Sequence, residues 1–369
     1  ASDNTALGMC ALHENTTGCE NVAVGTEAMN TGTTACRSVA VGYRALKSVQ
    51  TGTNNVGVGF CSLNAITTGA ANTAVGDIAL LSTTTASSNT AVGGSSLADN
   101  TTGAENTAVG QNSLANNTTA GSNTAVGRGS MFTNTTGASN TGIGFDALYA
   151  NTTGIENSAV GCGALDSVTT ASYNTALGNG ALGGVTTGSG RNTAVGVNAG
   201  NAKTTGLGGI YVGFGAQSSS TTANYEIAIG YEATGKGGQT GFIAPLTGGM
   251  FQGNNNASWS TTSDRRIKKN IVDNNIGLNK INQIQVKNFE YRTLDEITDF
   301  ENPKSAVVNK QGVQLGVIAQ ELELIAPEMV TTETTGVKTV NPDKLTWYLV
   351  NAVKQLNTKI AELEAKINE

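Results

Sequence analysis

The residues whose types and spacing permit covalent chemistry lie together at Ser263-Asp264-Arg265-Arg266-Ile267-Lys268-Lys269-Asn270-Ile271. A serine hydroxyl is a weak nucleophile until a base takes its proton. The single histidine, His13, lies far upstream, which leaves lysine as the available base. Lys268 stands five residues after Ser263, with Arg266 and Lys269 beside it. To accept a proton Lys268 has to be neutral, a state favoured by burial or by a neighbouring cation. Taken alone, the Ser-x4-Lys pair is better read as a helix cap ahead of a basic stretch. One histidine cannot build a His-based metal site or a relay triad, so neither a metal nor any other cofactor is expected. Asp77, Asp146 and Asp166 sit on separate repeats without paired counterparts, which argues against a glycan-cleaving site.

The elements that carry these residues are unusual in composition. Of 369 residues 48 are Gly, while only 5% are aromatic and 13% charged, too few large side chains for one thick core of that length. A net charge of −6 without a basic block excludes a nucleic-acid partner. No stretch is long and apolar enough to insert in a membrane. The chain opens inside its own repeat and without an initiator Met, so a longer upstream fibre or particle protein is expected as a partner. Five cysteines are an odd count for a disulfide framework. Cys19 and Cys36 share one repeat position but are expected to be free thiols, as assembly in a reducing cytoplasm would leave them.

An Asn-Thr-Ala-Val-Gly motif recurs with its last residue at Gly8, Gly25, Gly42 and onward to Gly178 in steps of 17. One step of 18 leads to Gly196, and two more of 17 to Gly213 and Gly230, making fourteen copies. Asn commonly stands four before the Gly (−4) and Ala two before (−2), while Val, Leu or Ile always precedes it (−1). Ala or Ser follows at +3, usually Leu at +4, then a Thr-Thr-Gly or Thr-Thr-Ala turn. Such a period specifies a mainly β fold, a β-solenoid with one short strand per coil, the Asn residues stacked as amide ladders and the Val and Leu positions as apolar columns. Fourteen coils at strand spacing reach roughly 65–70 Å. The Ala positions at −2 and +3 read as a second apolar column in want of another surface, which three copies around an axis would supply. The motif resembles the head repeats of trimeric autotransporter adhesins, and that resemblance implies a trimeric β-roll. At +1 the repeat carries scattered aromatics, Tyr43, Phe60, Phe145, Phe214 and Tyr231, which are candidates for contact with a receptor such as a glycan. Sequons such as Asn15-Thr16-Thr17 fall out of the repeat and carry no weight.

The expected division is a shaft over residues 1–235, a Gly/Asn-rich connector over 236–262 and a different domain over 263–369. That last domain holds 14 of the 21 Lys and Arg residues, and the 17-residue period stops there. Its order of Ser263-Asp264-x-Arg266-x-Lys268-x-Asn270-Ile271, then Gly316-x-Ile318-Ala319-Gln320-Glu321, then a C-terminal helix resembles the endosialidase-type intramolecular chaperones that end phage tail fibres and tailspikes. The resemblance implies a small α+β domain that trimerises, templates the upstream shaft and cleaves itself at the Ser263-Asp264 junction. It makes Ser263 the nucleophile and Lys268 its base in a single-turnover serine autoprotease, with no turnover of an external substrate. Heptad d positions at Leu349, Leu356 and Leu363 and a positions at Val353, Ile360 and Ile367 predict an oligomerising helix. Heptad rules lean to a dimer, and the resemblance to a homotrimer.

The function expected from all this is a structural homotrimeric tail fibre of a virion, assembled in the host cytoplasm and binding a host cell-surface receptor. A bacterial surface adhesin is the alternative, disfavoured by a polar C-terminal helix. An ice-binding solenoid is a further alternative, disfavoured because the Thr pairs run into Gly as turns.

Overall fold

The computed structural model describes the chain except residues 189, 245–249, 253–264, 266–267, 298–307, 309, 333–335 and 369. The chain divides into two compact units, Ala1–Ser263 and Asp264–Glu369.

The first unit is a solenoid. One sheet holds sixteen strands of three residues in strictly sequential order, from β1 (Thr5–Leu7) to β16 (Met250–Gln252). Pairing is parallel from one coil to the next, with Thr73, Ala74 and Val75 opposite Thr90, Ala91 and Val92. The 18-residue step keeps this register, Thr175 lying opposite Thr193, so its extra residue is absorbed in a turn. Beyond the last repeat, β15 (Gly241–Ile243) continues the parallel stack, and β16 closes it antiparallel.

Each coil turns off its strand at the invariant glycine, for two reasons that coincide. Gly76 takes φ +141°, and a Cβ there would lie 2.5 Å from the Gly93 carbonyl oxygen of the next coil. The chain then turns through left-handed residues at +2 and +4, such as Asn112 (φ 60°) and Leu114 (φ 49°). A leucine in that conformation costs about 1–2 kcal/mol. The offset comes from complete burial, as Leu80, Leu97, Leu114 and Leu148 are all 0% exposed.

The interior is narrow. The buried columns are Ala at −2 (Ala74, Ala91, Ala108), Ala or Ser at +3 (Ala79, Ser96, Ser113), Leu or Met at +4, and Asn at −4. The expected facing is corrected here. Strand alternation does send Val and Ala to opposite sides, but the Ala columns face inward with the Leu column. The Val column faces outward, half-buried at Val24, Val41, Val58 and Val126 and exposed at Val75, Val92, Val109 and Ile143. The reason is volume: a 17-residue coil leaves room beneath its strand for a methyl group, since Leu46 and Ser62 already crowd the same slot at Gly57.

Polar ladders hold the coils in register. Asn72 Oδ1 accepts the backbone N–H of Asn89 at 3.0 Å, Asn89 Oδ1 that of Asn106 at 3.0 Å and Asn106 Oδ1 that of Asn123 at 3.0 Å. The Nδ2 groups donate to turn carbonyls, as Asn89 does to Gly103 at 2.9 Å. A second ladder at +7 runs through Asn100, Asn117, Asn134 and Asn151, each Nδ2 donating to the preceding Oδ1 at 2.8–2.9 Å. It stops where Val168 takes the slot, and Asn151 Oδ1 is left buried without a donor. In most turns the first Thr also spends its hydroxyl on the next coil, as Thr101 Oγ1 does on the Thr118 carbonyl at 3.0 Å.

The second unit has a small core of Leu322, Ala326 and Met329, with Ile284, Val317, Val330, Val340, Leu345 and Tyr348 against it. Helix α1 (Leu278–Gln283) packs on α3 (Asp343–Ile367), while α2 (Ala319–Ile325) carries Leu322. Gly277 passes so close to α3 that a Cβ would lie 2.5 Å from the Ala352 nitrogen. Leu278 N–H donates to Gln355 Oε1 at 2.8 Å, and Asn351 Nδ2 to the Asn274 carbonyl at 2.8 Å.

Two substitutions test the facing of the columns. Leu114→Ala is expected to cost about 2–5 kcal/mol through the cavity it leaves. Ala108→Leu is expected to cost at least about 1–3 kcal/mol through overpacking. Both are read by chemical denaturation followed by circular dichroism, and a neutral Ala108→Leu would contradict the inward placement of the Ala column.

Candidate functional site

The chemistry expected at Ser263 falls at the boundary between the two units. Ser263 and Asp264 lie outside the described residues, as do Arg266 and Ile267. Lys268 is described and exposed, and its backbone N–H donates to the Arg265 carbonyl at 3.2 Å. Of the second motif, Gly316 ends the strand Gln314–Gly316, and Ala319, Gln320 and Glu321 begin α2. Glu321 pairs with Lys287 at 2.5 Å, a structural role.

Further into this unit, Glu328 accepts from Lys280 Nζ at 2.7 Å and from the Tyr348 hydroxyl. These bonds, the lysine's first, hold its carboxyl down at about 2. They tie α1, the turn after α2, and α3 together. Along α3, Leu349, Val353, Leu356, Ile360 and Leu363 are 44–59% exposed and Ile367 is 81% exposed, so the heptad seam is open in the single chain. Leu324, Leu315 and Val272 are exposed as well.

The five shaft aromatics are all exposed, and the coil spacing brings four of them into pairs. Tyr43 stacks on Phe60 with ring centroids 5.3 Å apart, and Phe214 on Tyr231 at 5.4 Å. The Arg44 guanidinium lies 4.8 Å from the Tyr43 ring, and Glu27 holds it in an ion pair of 2.8 Å with Lys47 at 3.0 Å. Phe145 stands with Arg128 at 5.5 Å, and no other ring pairs with it among the described residues. A third stack, Phe132 on Tyr149 at 5.3 Å, sits at +5, outside the +1 column of aromatics. Its signal was available, two aromatics 17 residues apart.

A buried polar cluster also escaped sequence reading. Where the last repeats lose their Leu, Tyr211 replaces the usual Ala at −2 and points inward, 0% exposed. Gly200 and Gly209 make room for it, in place of Leu and Asn: a Cβ on Gly209 would lie 2.4 Å from the Tyr211 hydroxyl and one on Gly200 2.8 Å from its ring. Lys203 replaces Asn or Val at +7 and is buried, donating to Tyr211 Oη at 3.3 Å and to the Ala223 carbonyl at 2.5 Å. Glu226 takes the Asn position of the ladder and accepts from Ser218 Oγ at 2.8 Å, Ser219 N–H at 3.0 Å and Gly237 N–H at 2.8 Å. Burial pushes the Tyr211 phenol up to about 12 and the Lys203 ammonium down. Burial also works against the Glu226 carboxylate, but the bonds from Ser219, Gly237 and Ser218 outweigh it and hold its carboxyl below the usual range. With every partner supplied from within, the cluster closes the top of the Leu column; it is not an open site.

Among the described residues no group of His, Cys, Asp and Glu is placed to hold a metal ion, and no helix is long and apolar enough to cross a membrane. Residues 263–331 match the family model described as chaperone of endosialidase. The resemblance drawn from the two motifs of the C-terminal unit is borne out. The match starts at Ser263 and ends within the strand Val330–Thr332, so α3 lies beyond it. No curated protein and no solved structure matches the chain.

The Tyr211 arrangement yields a double-mutant test. Tyr211→Ala restores the repeat's own alanine yet is expected to cost about 3–5 kcal/mol, because Gly200 and Gly209 leave its space unfilled. Adding Gly200→Leu, at a backbone position where Leu182 already takes φ 52°, is expected to recover about 1.5–3 kcal/mol. Additive losses in thermal denaturation would contradict the size exchange between these columns.

Proposed function

We propose that this chain is the distal part of a homotrimeric virion tail fibre, whose C-terminal unit folds the trimer and then cleaves itself from the shaft at the Ser263-Asp264 junction. One observation carries the reading: the family match begins at Ser263, at the division between the two compact units. A chaperone that is later released has to end its contact with the shaft at such a point.

Trimer formation has physical support of a different kind from that expected. The Ala columns need no partner. The surfaces that do are the outward Val column of the solenoid and the open heptad seam of α3, both apolar and exposed in the single chain. In the family motif Lys268 is the group that would take the Ser263 proton. The hydroxyl oxygen then attacks a neighbouring peptide carbonyl carbon, the C–N bond breaks as the protonated lysine returns its proton to the leaving nitrogen, and water hydrolyses the resulting ester to a carboxylate and the free hydroxyl. The stacked pairs Tyr43–Phe60 and Phe214–Tyr231, with Phe145, remain the candidates for contact with a host receptor such as a glycan. The ice-binding alternative asks for free threonine hydroxyls, and the turn hydroxyls at Thr84, Thr101, Thr118, Thr135 and Thr152 are bonded to carbonyls of the next coil.

Intact-mass spectrometry of the freshly expressed chain tests the reading. The unsubstituted chain is expected to give two fragments meeting at or beside Ser263-Asp264, and Ser263→Ala and Lys268→Ala one uncut chain each. Light scattering on the uncut variants is expected to report three copies. An uncut parent chain would sink the autoprotease, and a stable monomer would sink the fibre.

A further inference from the structure

Cys19 and Cys36 occupy one slot in successive coils, eleven residues after Gly8 and Gly25. What fills that slot elsewhere reveals which way it faces. Ser87 Oγ accepts the backbone N–H of Ala70 at 3.0 Å, Ser172 Oγ that of Ile155 at 3.0 Å, and Asn224 Oδ1 that of Leu207 at 2.7 Å. In each case the side chain turns back onto the coil before it. Cys36 does the same: its Sγ accepts the Cys19 N–H at 3.1 Å, and the two sulfurs lie 2.8 Å apart. Both residues are half-buried and carry free thiols.

The backbone around the pair is fixed by the stack itself. Arg37 N–H donates to the Cys19 carbonyl at 2.9 Å, and buried Asn21 Nδ2 to the Ala35 carbonyl at 2.7 Å. Coils stacked at a strand spacing of about 4.8 Å bring equivalent α-carbons within the roughly 4.4–6.8 Å that a disulfide spans. Cys10, Cys61 and Cys162 occupy other coil positions.

We propose that Cys19 and Cys36 are an oxidation site, closing into an inter-coil disulfide when the folded chain meets a small-molecule disulfide such as oxidised glutathione. One thiol loses its proton and attacks a sulfur of the reagent, forming a mixed disulfide and releasing one glutathione thiol. The second thiolate attacks the protein sulfur of that mixed disulfide and expels the second glutathione. One Sγ–Sγ bond forms, the reagent's S–S bond breaks, and the two thiol protons and two electrons leave with two molecules of glutathione. The hydrogen bond with Cys36, and then burial, hold the Cys19 thiol above its ordinary value, so closure speeds up as the pH rises. The bond staples two coils and removes freedom from the unfolded chain. Free thiols during assembly and a staple afterwards are compatible, and the inference does not depend on the fibre reading.

The full chain, reduced and desalted, is incubated with oxidised glutathione, alkylated, and digested with trypsin and a glutamate-specific protease. No Lys or Arg precedes Arg37, and Glu14, Glu20 and Glu27 separate Cys10, Cys19 and Cys36. Peptide 15–20 linked to peptide 28–37 is the expected product, absent after reduction, with Cys10, Cys61 and Cys162 outside the crosslink. The oxidised chain is also expected to melt several degrees above the reduced one. Cys36→Ala, which installs the residue that Ala70 and Ala104 already place in this slot, is expected to abolish that difference. Recovery of Cys19 and Cys36 only as alkylated or glutathionylated thiols, or of a crosslink joining two chains, would overturn the proposal.

Discussion

Everything in the shaft depends on stacking a coil so thin that it has almost no interior. Seventeen residues enclose one leucine, two small side chains and one or two asparagines, which by hydrophobic burial alone would leave sliding of one coil on the next nearly free. The asparagine ladder removes that freedom. Each Oδ1 is buried and satisfied only when the next coil presents its N–H at the same height, so a slip by one residue leaves buried amides without partners at a cost of about 1–3 kcal/mol each. The invariant glycine sets the complementary limit, since only its missing Cβ lets successive turns approach to strand spacing. Register and spacing are thus enforced at every coil, and the defects are local. Asn151, whose ladder ends at Val168, carries one unpaired oxygen without disturbing the strands beside it.

The same thinness explains where the outer surface is apolar. The strand has three residues, and its middle one takes the little space inside. The flanking Val therefore stays outside in coil after coil, together with the aromatics at +1. A solenoid of this kind cannot hide its β-branched residues and still keep its coils small, so it exposes a long apolar stripe. The C-terminal unit has the matching condition, with a small core around Leu322 and Met329 and an uncovered α3 seam. Both units, taken singly, present exposed apolar surface.

Much of this was legible from residue order. The 17-residue period dictated the strand order, the parallel register and the asparagine ladder, because each is a direct consequence of stacking identical coils. What the period could not convey was which column faces inward: alternation says that Val and Ala oppose each other, and only the available volume says that Ala wins the interior. The Tyr211–Lys203–Glu226 cluster shows the limit from another side. Its members are 8 and 15 residues apart in sequence and belong to three different columns, so only the exchange of sizes with Gly200 and Gly209 reveals them as one group. At the junction, Ser263 and Lys268 were legible as residue types in a family motif, while their mutual geometry lies outside the described residues.

The central claim is that parallel coils are locked at a 17-residue register by buried amides, and amide hydrogen exchange on the full chain tests it most directly. The account predicts slow exchange at the strand residues, the invariant glycines and the ladder asparagines, recurring every 17 residues from Asn21 to Asn174 and shifting by one beyond the 18-residue step. Protection lacking that period, or rapid exchange of the Asn72, Asn89, Asn106 and Asn123 amides beside protected neighbours, would contradict it.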